Sequence, residues 1–320
     1  MAAFYQAVPI DGIEDLEESV RGSHLEPTQL KPGSIKGTLV QAGLGTATLS
    51  SGAFRGEAHV TGPLSDTDLT IGLLLKTEGA NSQWSYETQG GDIAVVPPNV
   101  AHDARHGEST HWVTLTLPLE IVLEQAEVRQ PHLTEAFWQQ PEMYRPSPKV
   151  AVRTVDRFQT ALRGMARNPD LLQTPNARDA MLDDLIGSTL QAFGSGGREP
   201  IVTRRTFISS SRIVRAAEEY LRAHVHDPVR LPQLCRHLGV AERSLYRAFH
   251  EVLHVSPAVY LRRWRLCQAR RMLANPQSAD LTVADAALHF GFWELGRFAG
   301  QYRHLFGGLP SETLTSAKQA

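Results

Sequence analysis

The 320-residue chain has only two cysteines, Cys235 and Cys267, both in helix-like stretches among apolar neighbours. They cannot build a disulfide framework and read as inert core thiols. Long apolar runs are missing too: 71–75 and 93–96 fall far short of the roughly 18 residues needed to cross a bilayer. The opening twenty residues carry Asp11, Glu14, Asp15, Glu17 and Glu18 and no basic residue, the wrong charge for a leader, which predicts a cytoplasmic protein without a membrane partner. Patterns that carry chemistry are equally scarce. There is no Ser/His/Asp ordering, no phosphate-cradling glycine loop and no Cys-x-x-Cys, so no catalytic residue, metal or cofactor is assigned and the chain reads as a non-enzyme.

What is present is a folded composition, 42% hydrophobic and 21% charged, which excludes wholesale disorder and a fibrous repeat. A chain this long is expected to build two cores rather than one. The formal charge of −2 hides an asymmetry. Residues 1–205 hold 17 Lys and Arg against 25 Asp and Glu, whereas 206–320 hold 15 against 9. The basic half is expected to meet a polyanion.

Between Lys31 and Pro118, β-type runs separated by Gly, Pro, Asn and Asp, with alternation through 83–87 and 112–117, predict six to eight strands. From Leu119 to Phe193 the period lengthens. Val155, Phe158, Leu162 and Met165 make one helical stripe, which packs on its own sheet or joins a homodimer, and Met181, Leu185 and Phe193 belong to another. Thr174-Pro175 is a start signal for that second helix, and the Gly194-Ser195-Gly196-Gly197 run opens a linker.

Beyond the linker every segment reads helical. Ser209 to Ser211 can cap a helix whose Ile213, Ala216, Ala217 and Tyr220 share a face. Two helix, glycine, helix pairs follow: Leu231 to Leu238 and Ala241 to Leu253 around Gly239, then Val283 to Phe290 and Leu295 to Leu305 around Gly291. Ser256-Pro257 starts a connector running to Leu273, and Thr282 with Asp285 caps the second pair. In the first pair's second helix, Leu245, Ala248, Phe249 and Val252 face inward, leaving Arg243, Tyr246, Arg247 and His250 outside. Its counterpart buries Leu295, Phe298, Tyr302 and Leu305 and turns out Gly296, Arg297, Gly300 and Gln301. Either such face is a solvated surface or a row of donors for a major groove. Arg262, Arg263, Arg265, Arg270 and Arg271 on the connector add cations, some of which pack their stems. Arg263 is expected to hold duplex DNA on all sequences alike, and Arg247 to discriminate between sequences.

Residues 212–314 resemble the AraC/XylS family of bacterial transcription regulators. The words that carry the likeness are Leu234 through Val240, Leu245 through Phe249, His254-Val255-Ser256-Pro257, Gly291-Phe292 through Phe298 to Tyr302, Phe306-Gly307 and Pro310-Ser311. The resemblance implies a double helix-turn-helix domain whose second helices contact double-stranded DNA, here through Arg243, Ser244, Tyr246, Arg247, Arg297 and Gln301. Departures are Arg230 and Ala241 at capping positions, His254 where glycine is favoured, and Gly300 where a long polar chain is common. The last of these suggests that the second pair anchors and the first specifies.

Regulators of this kind sense a small molecule on an amino-terminal cupin-like β-barrel, and residues 91–102 look like the second cupin motif, with Asn99 replacing its glycine. No His-x-His pair occurs in the first 118 residues, so His59, His102, His106 and His111 define no metal site. His102 is a turn histidine or an effector contact, and Trp84 and Tyr86, two apart, pack in the core or line the effector pocket. The expected fold is α+β: an extension at 1–30, a cupin-like effector-binding and dimerisation barrel with helices at 31–193, a linker at 194–205 and the double helix-turn-helix at 206–316. An effector-controlled transcription regulator, with RNA polymerase as a candidate partner, is the reading, and activator and repressor both stay open. A cupin-type metalloenzyme with a helical accessory domain is the alternative.

Overall fold

The computed structural model describes residues 3–84, 86–195, 205–225, 227 and 229–319, without the side chains of 205–208. The linker expected at 194–205 therefore lies almost wholly outside the described residues. The amino-terminal region contributes strands β1 (Tyr5–Ile10), β2 (Glu26–Gln29), β3 (Lys36–Leu44), β4 (Ala47–Arg55), β5 (Ala58–Pro63), β6 (Leu69–Glu78), β7 (Ser82–Gln83), β8 (Tyr86–Glu87), β9 (Ile93–Val96), β10 (Ala101–His106) and β11 (Ser109–Leu117). Helices α1 (Leu119–Arg129) and α2 (Glu135–Trp138), strand β12 (Glu142–Tyr144), and helices α3 (Pro148–Arg167) and α4 (Pro175–Gly194) follow.

These strands form two sheets that do not close into one barrel: seven in the order β1-β3-β4-β11-β6-β9-β12 and five in the order β2-β5-β10-β7-β8. Among the described residues, nine strands lie between Lys31 and Pro118 where six to eight were expected, because two of them are only two residues long. Nor is the 1–30 segment a mere extension, since β1 and β2 each add an edge strand to a sheet.

The period-two pattern of β11 explains how the larger sheet is buried on both sides. Val113, Leu115 and Leu117 pack under the helices with Phe158, Met165, Leu185 and Phe193, while Trp112 turns toward the smaller sheet. The α3 stripe thus lies on its own sheet, with Phe158 and Met165 buried and Val155 and Leu162 packed beside them. Pro175 opens α4 as expected, but Thr174 makes no side-chain cap.

The remaining elements are helical: α5 (Arg205–Ala223), α6 (Leu231–Leu238), α7 (Glu242–Leu253), α8 (Pro257–Ala274), α9 (Val283–His289), α10 (Leu295–Phe306) and α11 (Pro310–Gln319). Helix α5 begins earlier than the serines suggested, so Ser209 to Ser211 lie inside it, and the Ser210 hydroxyl donates to Glu251 at 2.7 Å. Gly239 closes α6 at φ 63°, a left-handed position that glycine adopts without strain. His254 closes α7 at φ 57°, which explains why a glycine is favoured there. Ser256 caps α8, and Thr282 and Asp285 form a reciprocal capping box on α9.

Two apolar cores hold this half. Val214, Leu221, Leu234, Phe249 and Trp264 pack the first helix pair, together with Leu30 from the amino-terminal half. The second pair shares one continuous core with the space between the sheets: Cys267, Leu273, Phe298 and Tyr302 join Ile10, Leu16, Leu25 and Ile35. Connector α8 is buried against both.

Candidate functional site

Two places have chemistry to offer: the outward faces of α7 and α10, and a cavity between the sheets. On α7, Leu245, Ala248, Phe249 and Val252 are buried and Arg243, Tyr246, Arg247 and His250 are exposed, with Ser244 half-buried between them. Among the described residues no ion pair engages Arg243 or Arg247, so both guanidiniums are available to an outside anion or base edge.

The α10 face is different. Phe298, Tyr302 and Leu305 are buried, but Leu295, expected inside, is 45% exposed, and Trp293 just before the helix is 74% exposed. Arg297 is exposed with Glu294 at 3.8 Å, while Gln301 is half-buried and its Oε1 has no hydrogen-bond partner among the described residues. A Cβ added at Gly296 or Gly300 would meet nothing within 4 Å. None of the described helices needs those glycines. Gly300→Ala is therefore expected to stabilise the free protein by about 1 kcal/mol, read as a rise in thermal midpoint, because it removes helix-interior backbone entropy at no steric cost.

The connector arginines serve mostly inside the molecule. Arg263 donates to the Leu30 carbonyl and Arg265 to the Val229 carbonyl at 2.6 Å. Arg270 grips the Glu14 carboxylate with two donors, one at 2.8 Å, and Arg271 pairs with Glu17. Arg263 is thus not the uniform phosphate contact expected, since its guanidinium is committed to the amino-terminal half; of the five, Arg262 remains exposed.

The cavity between the sheets has a volume of about 60 Å³. Its wall is largely apolar, with Val60, Leu64, Trp112 and Met143, and the rings of His102 and His106 enter from β10. His102 Nδ1 and the buried Gln83 Nε2 lack hydrogen-bond partners among the described residues. Trp84 and Tyr86 do not line it. The chain turns at Trp84, at φ 46°, between the short strands β7 and β8, so the pair never shares one strand, and Trp84 Nε1 donates to the Ala101 carbonyl at 2.8 Å. That His106 and Gln83 line a cavity escaped sequence reading, because nothing local marks a strand residue as pointing into one.

Burial pushes His102 down to about 4, and burial together with the neighbouring imidazoles pushes His106 to about 3. Both rings are neutral at neutral pH. A histidine held neutral stabilises the fold fully above its unfolded value of about 6.5 and loses that contribution as pH falls toward the folded value. Urea unfolding is expected to show stability declining by about 1.4 kcal/mol per pH unit for each ring between roughly pH 6 and 4, and His106→Phe should lessen that slope. Among the described residues no group of three or more His, Cys, Asp and Glu is placed to hold a metal. His59 lies on the far side of the smaller sheet, and His111 beside the Ser51 hydroxyl at 3.3 Å.

Comparison with known proteins gives these structures a context. Residues 234–316 match the family described as a helix-turn-helix domain. The XylDLEGF operon transcriptional activator 3 of Pseudomonas putida is 24% identical over 90% of this chain and 85% of its own length. Activator 2 of the same operon and organism is 33% identical over 37% of this chain and 74% of its own length. A crystal structure of a transcriptional regulator with an AraC-type DNA-binding domain from Chromobacterium violaceum aligns with 35% of this chain and 96% of its own, at 25% identity and a TM-score of 0.32.

Proposed function

The chain belongs to the AraC/XylS family of transcription regulators, and from that premise we propose that α7 and α10 enter major grooves of duplex DNA while the cavity between the sheets receives a small-molecule effector. It is a DNA-binding regulator and not an enzyme. The observation that carries the reading is the outward face of α7, where Arg243, Tyr246 and Arg247 stand exposed and unengaged by ion pairs while every apolar position of the helix is buried. Arginine donors on one side of a short helix suit a guanine edge, and Ser244 suits a phosphate or base acceptor. Arg297 and Gln301 are the corresponding groups on α10, with the open backbone at Gly296 and Gly300 allowing close approach.

A cavity of this size is far below the roughly 300 to 1,000 Å³ of ordinary ligand pockets, so an effector binds by moving the walls. Its apolar body would meet Trp112 and Met143 and its polar group His102, His106 or Gln83. The two relatives named above are transcriptional activators, and this chain is proposed to activate as well; contact with RNA polymerase is part of the proposal. It would act in the cytoplasm with the DNA it reads; none of the described helices is long and apolar enough to cross a membrane. The α3 stripe is not available for contact between two copies, because the chain's own sheet occupies it.

The test is selection of duplexes by the full-length protein from a random pool, followed by isotherms at several salt concentrations. Recovery of a preferred sequence, bound more tightly than scrambled DNA at every salt, is expected. One isotherm for all sequences would overturn the reading.

A further inference from the structure

The smaller sheet has two unlike faces, and strand β10 carries both. His102 and His106 point into the cavity, whereas Asp103, between them, points the other way. Asp103 and His59, from neighbouring strand β5, meet there with the Asp103 Oδ1 to His59 Nε2 distance at 2.9 Å. The other ring nitrogen, His59 Nδ1, lies 2.9 Å from Glu218 on α5, and the Tyr260 hydroxyl of α8 donates to that same carboxylate. His59, Glu218 and Tyr260 are all buried. Around them Arg215 lies 3.7 Å from Asp103, and Arg222 spans from α5 to Glu26 at 2.7 Å and Thr61 at 3.1 Å.

We propose that β10 reports the occupancy of the cavity to the DNA-binding half, with Asp103, His59, Glu218 and Tyr260 as positioning residues for the helices that read DNA. The proposal rests on the reading of the cavity as the sensing site. A strand is too stiff to move one face without the other, so a wall displaced at His102 displaces Asp103 and the contacts beyond it. Those contacts end on α5, which packs on α7, and on α8, which joins the two helix pairs. Both recognition faces stay exposed while the halves are docked, so the docking positions the reading helices and does not cover them. Burial alone lowers His59, but Glu218 and Asp103 outweigh it and hold its value up to about 10, so the group joining the halves is an imidazolium between two carboxylates.

The experiment is a double-mutant cycle on the full chain, with a duplex recovered by the wild type from a random pool as the probe. Gly72→Ala fills the cavity from the opposite sheet without collision, its Cβ meeting Ala94 Cβ at 3.7 Å and Thr114 Cγ2 at 3.9 Å. Asp103→Asn cuts the relay on the outer face. Gly72→Ala is expected to change duplex affinity at least threefold in the wild type and to have no effect in the Asp103→Asn background. Thermal midpoints identify folded variants, and Ala94→Val replaces Gly72→Ala if the latter unfolds. An equal factor in both backgrounds, or none in either, overturns the relay. A wild type that selects no duplex overturns the functional reading and the relay with it.

Discussion

His59→Leu is expected to destabilise the protein by about 3–5 kcal/mol at pH 6, the size of effect seen when one partner of a buried ion pair is removed. Among the described residues, the leucine leaves the buried Glu218 with the Tyr260 hydroxyl and the more distant Arg222, and leaves Asp103 with Arg215. The pH dependence separates this from a packing defect. Because the folded value of His59 is raised to about 10, its contribution is complete below the unfolded value of about 6.5 and fades as pH climbs toward 10. The gap between wild type and variant in chemical denaturation should therefore narrow steadily from pH 7 to 10. A gap independent of pH in that window would mean that the imidazole is uncharged and that Glu218 is held some other way.

Arg247→Ala is expected to weaken binding to the selected duplex by about 1–3 kcal/mol and to change binding to scrambled DNA far less. The reason is geometric: α7 turns Arg247 outward beside Tyr246 on a helix whose opposite side is locked in the core, so the guanidinium is presented on a rigid support. Gel-shift or anisotropy titrations on the two duplexes decide it, and equal losses on both would remove Arg247 from base reading. Arg263→Ala serves as the contrast. Its guanidinium is spent on the Leu30 carbonyl, so the loss should appear in the thermal midpoint while the salt dependence of DNA binding stays that of the wild type.

The two helix pairs were legible because their signals are local. Gly239 ends a helix by its own backbone freedom, and Ser256-Pro257 and Thr282 with Asp285 start helices by bonds three residues away. The inward and outward faces of α7 followed from spacing alone. Leu295 was misplaced because spacing assigns a residue to a stripe but does not say where the neighbouring element stops covering it. The charge asymmetry was real but ambiguous. Part of the basic excess of residues 206–320 neutralises Glu14, Glu17 and Glu26 of the acidic half, and composition cannot distinguish an anion within the chain from one outside it. The cavity and the His59 cluster were hidden for a related reason: they join residues distant in sequence, and Trp84 and Tyr86 drew attention through a strand periodicity that the turn between β7 and β8 interrupts.

The apolar interior shared by the sheets and the second helix pair limits how freely such a protein can be recombined. A chimera spliced at the connecting segment would carry Ile10, Leu16 and Leu25 away on one parent and leave Phe298 and Tyr302 on the other, each surface bare to water. A working graft of this reading head onto a foreign receptor would have to bring the first three dozen residues along, though they sit at the opposite end of the polypeptide.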